Sequence, residues 1–572
     1  MTDSVLIFTF SPVQPFIVEA RRAADLYAGS QILVQLAKAA ASAIEKDRLI
    51  FPGEVGDDVP NRIVAHLPFD ACDQVAQAAR EGLLKRWREI AGEARVKFSR
   101  KSEVDPAWED IWKRQTADDY LWEVYWAAAS LEGRSYSQAY QEADRSLNAL
   151  KRTRAFIAAD EPGLKDTLSG RRQALRTKDL PADTYWKQSA RNWVAAKLRP
   201  NGRERLDAIG LVKRFSDQAE LEVGNFYGFP STSSVASLVF LEQARDKAPR
   251  ELAEYKQALD ALYKGFINIQ TDPHWTYDGD LLYLDTLTKK RLEEDYGATG
   301  LIELQMEAPH ERLLALYKAV EDKPSPYYAV IVLDGDNMGQ RINACQLEEE
   351  HRQFSRKLSQ FAAHVPAVAK EQHGFVVFNG GDDVLAMAPL ANAYELTRQL
   401  AAEFHRITGG TASAGIAVSH HQTPLSFVLR TARQAEGRAK QIDADKAAVC
   451  VTAMKRSGET LEMRSKWEVA GDKVNQLVRL LKAQRKQNAA LASRFVYDFA
   501  RSAYALPNAD EKLEAELRRL LIRHRNEQHP DKPDPAEWAA RLKAWAAGLP
   551  EGPTELSRWL IFTRFIAQGG GE

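Results

Sequence analysis

The side chains best suited to chemistry are carboxylates in two tight clusters, Asp334-Gly335-Asp336 and Gly380-Gly381-Asp382-Asp383. Adjacent Asp side chains repel unless a cation sits between them, and their hard oxygens suit Mg²⁺. Two such clusters brought together could hold two divalent ions about 3.5–4 Å apart, one activating an attacking 3′-hydroxyl, the other stabilising a leaving pyrophosphate. Taken singly, Gly-Gly-Asp-Asp is also an ordinary solvated turn, because Gly and Asp are the commonest turn residues.

The flanks indicate how the clusters would be held. Phe375-Val-Val-Phe-Asn379 and Asp383-Val-Leu-Ala-Met-Ala388 suit paired strands. Asn379-Gly380 and Gly380-Gly381 supply positive φ angles for a hairpin with an acidic tip. Tyr327 to Leu333 is a near-continuous apolar run, as in a central buried strand, and it ends in Asp334-Gly335-Asp336. Carboxylates at that strand's end lie at a sheet edge, open to a nucleotide. Between the two, residues 346–372 form a helix long enough to cross back and set the hairpin beside the first strand.

Composition sets limits. A 572-residue chain predicts several domains, and 78 basic against 79 acidic residues exclude bulk affinity for nucleic acid through net charge. Three cysteines without a CxxC exclude a disulfide framework and a cysteine-built zinc site. The N-terminus enters a strand-like run, Val5 to Phe10, without a signal-peptide pattern, and no run of 18 apolar residues follows. The expectation is a cytoplasmic chain with no membrane partner.

In order, the pattern predicts a strand at 4–10, a helix over 18–44, strands at 62–69 and 120–127 around a helix over 71–96, and a helix over 135–158. This is a split βαβ arrangement. Arg21, Arg22, Asp25, Gly29 and Ser30 fall at helical spacing, which favours packing over a ligand. Residues 165–214 are polar and basic, with Arg171, Arg172, Arg176, Lys178, Lys213 and Arg214, and read first as solvated faces. The loop Gly228 to Ser234 precedes a helix that it would cap, although its N–H groups could also bind phosphate. Asp278 and Asp280 rank below the later clusters as metal ligands. After the hairpin come a helix over 392–407, a strand at 411–418, a helix over 424–442 carrying Lys440, and a strand at 447–452 that closes the sheet. That β-α-β-β-α-β order is ferredoxin-like, and Lys440 is either a helix C-terminal cation or a triphosphate ligand. Everything from Ser465 on is helical. The predicted domains are 1–158, 159–322, 323–460 and 461–572: an α/β unit, a mostly helical insert, a second α/β unit and a C-terminal helical bundle suited to docking.

Asp334-Gly-Asp-Asn-Met-Gly339, Asn379-Gly-Gly-Asp-Asp383, Phe10-Ser-Pro-Val-Gln-Pro-Phe-Ile17 and Phe229-Pro-Ser-Thr-Ser-Ser234 together resemble the Cmr-type large subunit of type III-B CRISPR effector complexes, the Cas-ten family. The resemblance implies an α+β multidomain fold with two palm domains (GGDEF/cyclase-like) facing each other and ATP between them. It implies activation by target RNA captured with crRNA in a complex of Cmr-type subunits, and conversion of ATP to cyclic oligoadenylate or a related adenylate. Asp382, Asp383, Asp334 and Asp336 would be catalytic. Asp334, Asp382, Asp383 and the Gly335 carbonyl would hold two Mg²⁺ or Mn²⁺ ions. Gly335, Asn337, Gly380, Gly381, Lys440, Ser11 and Gln14 would bind nucleotide, with Ser11 and Gln14 facing the second one.

Two departures stand out. None of the eleven histidines is followed by Asp, and the chain starts at the first palm, so no HD domain and no single-stranded DNase activity are expected. Asp166, Ser169, Asp207 and Gly210 occupy the positions of the family's paired cysteines, so no zinc is expected. Two other readings compete: a scaffold subunit without turnover, and a stand-alone GGDEF-type cyclase, which needs far less chain.

Overall fold

The computed structural model describes residues 2–56, 59–153, 161–193, 197–216, 222–223, 226–227, 229–264, 266, 275, 277–483, 488–504 and 511–571. The end of the helix expected over 135–158 and Gly228 of the hydroxyl-rich loop lie outside them.

The first unit starts with β1 (Asp3–Ser11), buried at every residue from Ser4 to Phe10. A short α1 (Gln14–Val18) follows, then a break at Glu19–Arg22 and α2 (Ala23–Ala41). The single helix expected over 18–44 is therefore two pieces. Pro15 near the start of α1 suits a helix entry, but Arg22 is extended and only Ala23 resumes the helix. Next come β2 (Leu49–Phe51), β3 (Arg62–Pro68), α3 (Cys72–Ser99), α4 (Pro106–Thr116), α5 (Asp118–Leu121), β4 (Glu123–Ser130) and α6 (Tyr136–Arg152). The strands pair in the order β2-β3-β1-β4, all antiparallel. Three-residue β2 is too short to carry an alternation, and the aromatic strand starts at Glu123 because 118–121 make a helical turn.

The middle of the chain is helical: α7 (Ala182–Arg191), α8 (Ala208–Phe215), a small ribbon of β5 (Glu222–Val223) and β6 (Phe226–Tyr227), then α9 (Thr232–Lys247), α10 (Pro249–Leu262), one-turn α11 (Lys289–Arg291) and α12 (Glu303–Val320). Its core is aromatic, with Tyr255, Trp275 and Tyr296 buried together. Lys213 and Arg214 of α8 are buried against the first unit rather than solvated.

The second α/β unit comprises β7 (Tyr327–Gly335), α13 (Met338–Ala344), α14 (Glu348–Glu371), β8 (Phe375–Asn379), β9 (Asp383–Pro389), α15 (Leu390–Thr408), β10 (Ala412–His420), α16 (Leu425–Ala439), β11 (Ala448–Met454) and β12 (Thr460–Lys466). Its order is β12-β11-β10-β7-β9-β8, with only β10 and β11 parallel. β11 does not close the sheet. β12, whose polar residues alternate with buried Leu461, Met463 and Ser465, adds an outer strand. In both sheets the first four strands lie in the ferredoxin order, fourth, first, third, second, so the fold is α+β with two such units. The chain ends in α17 (Trp467–Ala470), α18 (Lys473–Leu481), α19 (Arg494–Ala503), α20 (Glu511–His524), α21 (Pro535–Ala547) and α22 (Gly552–Ala567). Among the described residues no helix is long and apolar enough to cross a membrane.

Period-two alternation gives the two faces of the second sheet different partners. Tyr328, Val330 and Val332 share a core with α2 and the first sheet. Ala329, Ile331 and Leu333 share one with α14, α15 and the C-terminal helices. On the first of these faces α16 lies directly on β10 at Gly415, where a Cβ would stand 2.2 Å from both the Ala432 carbonyl and the Glu436 nitrogen. Gly415→Ala is expected to push α16 outward and to cost about 1–3 kcal/mol, read as a lower urea midpoint.

Candidate active site

β7 and β9 pair so that Asp334 stands directly opposite Asp383. Cross-strand partners place their Cβ atoms about 4.5–5.5 Å apart. The Gly335 N–H donates to the Asp382 carbonyl at 2.9 Å, which ties the turn to the end of β7. The hairpin differs from its expected form. Asp383 is the first residue of β9, Asp382 alone belongs to the loop, and only Gly381 takes a positive φ, 97°. Gly380 serves a different need, since a Cβ on it would meet the Phe378 ring at 2.9 Å. Asn379 is buried, and its amide donates to the Ala362 carbonyl at 2.7 Å, anchoring the turn to α14.

The loop after β7 is equally constrained. Asp336 is buried; its Oδ2 accepts from the Ala447 N–H at 3.0 Å, while its Oδ1 has no hydrogen-bond partner. Asn337 adopts the left-handed region, φ 56°, and its Oδ1 accepts from Lys446 Nζ at 2.7 Å. A Cβ on Gly335 would stand 2.9 Å from both Met338 Sδ and Phe404 Cζ, so the close turn requires glycine. Asp336 therefore shapes the loop behind the cluster, and Asp334, Asp382 and Asp383 form its open face.

Electrostatics make that face reactive toward cations. Burial, then the charge of Asp334, pushes the Asp382 carboxyl up to about 6. Burial, then Asp334 and Asp382, pushes Asp383 up to about 7. Lys440 forms an ion pair with Asp334 and a second with Glu436 at 2.7 Å. Burial lowers the Lys440 pKa, but the bonds to Asp334 and Glu436 outweigh it and raise the value overall. Among the described residues no group of three or more His, Cys, Asp or Glu side chains is gathered closely enough to hold a metal. The donor set still suits a hard divalent ion: three mutually repelling carboxylates, two of them raised in pKa, with a lysine ammonium already seated on the third.

Two cavities flank the cluster. One of about 260 Å³ is lined by Gln14, Ile17, Asp334, Asp383, Arg433, Glu436 and Lys440. The other, about 400 Å³, lies between the two sheets and is lined by Gln14, Asn61, Arg62, Tyr140, His351 and all three open carboxylates. Gln14 thus reaches both. Ser11 reaches neither; its hydroxyl donates to Glu123 at 3.1 Å. Burial pushes His351 down to about 4, so its ring is neutral; its Nδ1 shares a 2.6 Å hydrogen bond with the Tyr136 hydroxyl and the ring forms an uncharged wall.

Arg433 and Glu436, absent from the sequence reading, share one face of α16 with Lys440. Their spacing of three and four residues was the available signal. The other acidic pair belongs to the framework. Asp278 accepts from Ser231 and Ser233 at 2.8 and 2.7 Å, and buried Asp280 pairs with Arg291 at 3.2 Å. Ser231 also caps α9, its oxygen accepting from the Ser234 N–H at 3.1 Å.

The positions of the family's paired cysteines do not fit zinc. Asp166 Oδ1 accepts from the N–H groups of Leu168 and Ser169 at 2.8 and 2.6 Å, and Asp207 caps α8 through the Gly210 N–H at 2.6 Å. The second Asp207 oxygen pairs with Arg172 at 3.1 Å. A guanidinium sits beside these carboxylates, and no thiolate is present.

Comparison with known proteins agrees with this architecture. Residues 327–450 match the family model for the second palm domain of Cas10/Cmr2, and residues 5–59 match that for the N-terminal part of the CRISPR-associated protein Cmr2. The CRISPR system Cmr subunit Cmr2 of Pyrococcus furiosus is 24% identical over 90% of this chain and 69% of its own length. Among solved structures, a chain of the type III-B Cmr-beta apo state superposes with a TM-score of 0.67 at 13% identity, covering 100% of this chain and 82% of that one. A chain of Cmr-beta bound to cognate target RNA gives 0.64 at 14%, covering 99% and 83%. With both α/β units and the order of its motifs accounted for in this way, the chain carries a Cas10/Cmr2 second palm domain at residues 327–450 and a Cmr2 N-terminal region at residues 5–59, and over most of its length it is similar to a Cmr-type large subunit.

Proposed function

We propose that this subunit is a nucleotidyltransferase that converts ATP to cyclic oligoadenylate, or a related adenylate messenger, when its complex captures target RNA. The observation that carries this reading is the register that sets Asp334 against Asp383, with Asp382 beside them, at a cleft between two like-folded units. In the reaction the 3′-oxygen of one ATP bonds to the α-phosphorus of another, and pyrophosphate departs.

Asp334, Asp382, Asp383 and the Gly335 carbonyl would hold two Mg²⁺ or Mn²⁺ ions, which lower the pKa of the attacking hydroxyl and neutralise the leaving pyrophosphate. The protein's own groups do the rest. Lys440, which holds Asp334 in the ligand-free chain, and Arg433 beside it supply positive charge for the triphosphate. The backbone at Gly335, Asn337, Gly380 and Gly381 lets that triphosphate approach without steric conflict. Gln14 orients the second nucleotide from the opposite unit, and Ser11, bonded to Glu123, supports the turn that carries Gln14. A Cmr-beta relative is bound to cognate target RNA; by analogy this chain assembles with other Cmr-type subunits and meets crRNA and target RNA through them.

The test is the reconstituted complex with target RNA, Mg²⁺ or Mn²⁺ and labelled nucleotides, its products identified by mass spectrometry. Asp382→Ala/Asp383→Ala is expected to lower the yield about 100-fold or more, a barrier increase of about 2.7 kcal/mol. Equal yields would instead support the scaffold reading.

A further inference from the structure

Gln14 reaches both cavities from α1, a helix of five residues. A helix this short has no stability of its own in water and takes its position from whatever anchors it. Phe16 and Ile17 are buried, but apolar burial alone does not fix the rotation of a single turn. The polar anchor is Lys213 on α8. Its Nζ, wholly buried, donates to the Phe16 carbonyl and to the Glu19 carbonyl at 2.8 Å, and it lies 4.3 Å from the centre of the Phe16 ring. An ammonium on the last carbonyls of a helix is where a cation is favoured most. Gly29 of α2 makes room for it, since a Cβ there would stand 3.3 Å from Lys213 Cε.

A second cation reaches the same point from outside. Arg172 donates to the Glu19 carboxylate at 2.7 Å and to Asp207 at 3.1 Å, and Asp207 is the residue that caps α8. Asp166 in turn accepts from the Arg172 N–H at 3.2 Å. Two charged side chains, both from the segment that cannot bind zinc, therefore converge on the C-terminal end of α1.

We propose that Lys213 and Arg172 form a staple that holds α1 and are positioning residues for Gln14 at the nucleotide cleft. The segment around Arg172 and Lys213 thereby gains a role in nucleotide binding, through its internal ion pairs. This rests on the reading of the cleft as an ATP site.

Hydrogen exchange on the assembled complex tests the staple without turnover. Lys213→Met is expected to speed exchange of the Ile17 and Glu19 amides, which close α1 onto Val13 and Pro15, by tenfold or more. It should also weaken ATP binding, measured calorimetrically with Ca²⁺, about as much as Gln14→Ala does. The Lys213→Met/Gln14→Ala double variant should lose little beyond either single one, because the two act through the same contact. Arg172→Gln, nearer the surface, should shift both readouts in the same direction by less, and Arg172→Lys should recover part of the loss. Unchanged exchange in α1, or additive losses in the cycle, would overturn the staple. Full product yield from the Asp382/Asp383 variant would overturn the proposed reaction and leave the exchange result standing.

Discussion

Asp383→Asn is expected to abolish adenylate synthesis and, in the same molecule, to stabilise the metal-free chain above neutral pH. Burial and the charges of Asp334 and Asp382 hold the Asp383 carboxyl up near 7, against an ordinary 3.8. The sign follows directly. A carboxyl with a raised folded-state pKa costs nothing below its unfolded value, and its cost grows as pH rises toward the folded one. The wild-type chain without divalent ions should therefore lose stability from about pH 4 to about pH 7, and Asp383→Asn should lose less of it. Because the group faces open cavities, solvent screening reduces the expected difference to about 1–2 kcal/mol at pH 8, or a few degrees in Tm. At pH 4 the two chains should melt together. Adding Mg²⁺ or Mn²⁺ should raise the wild-type Tm and leave the variant's nearly unchanged, since only a ligand bound to the native state stabilises it. Scanning calorimetry at both pH values, with and without the ion, checks this; a variant less stable than wild type at pH 8 would mean that the carboxylates are not in mutual repulsion.

That coupling of function to instability was partly legible in the chain. β7, β9 and the long α14 and α15 follow from strong apolar runs and helical periodicity, and the carboxylates could be placed at strand ends because the runs stop there. The register could not be read. That Asp334 faces Asp383, rather than Asp382, depends on strand pairing and on a three-residue turn. Lys440 stood out as a lone cation near a helix end, whereas Arg433 and Glu436 on the same face look like any solvated helix surface until α16 settles on Gly415. The largest misreading concerned Lys213 and Arg214. Two adjacent cations are usually exposed, and the carboxylate that buries Arg214 lies 189 positions away, at Asp25. No local pattern announces a partner at that distance.

The same pair is where a single substitution should do most damage to the fold. Arg214 forms ion pairs with Asp25 and, at 3.2 Å, with Glu204; Glu204 also pairs with Arg22, so two cations and two carboxylates balance. Arg214, Asp25 and Glu204 are 3%, 1% and 4% exposed, so water cannot replace a missing member. Asp25→Ala would leave a guanidinium charge in excess in the interior and is expected to cost about 3–5 kcal/mol, seen as a lower urea midpoint and reduced soluble yield. Replacing both partners, as in Asp25→Leu/Arg214→Met, removes the uncompensated charge and should recover most of that loss. A charge network of this kind need not be more stable than an apolar core of the same shape. What it does here is join α2 of the first unit to α8 of the insert. Asp25→Ala should therefore also loosen the attachment of Lys213 to α1, while the apolar double variant should keep α8 in place.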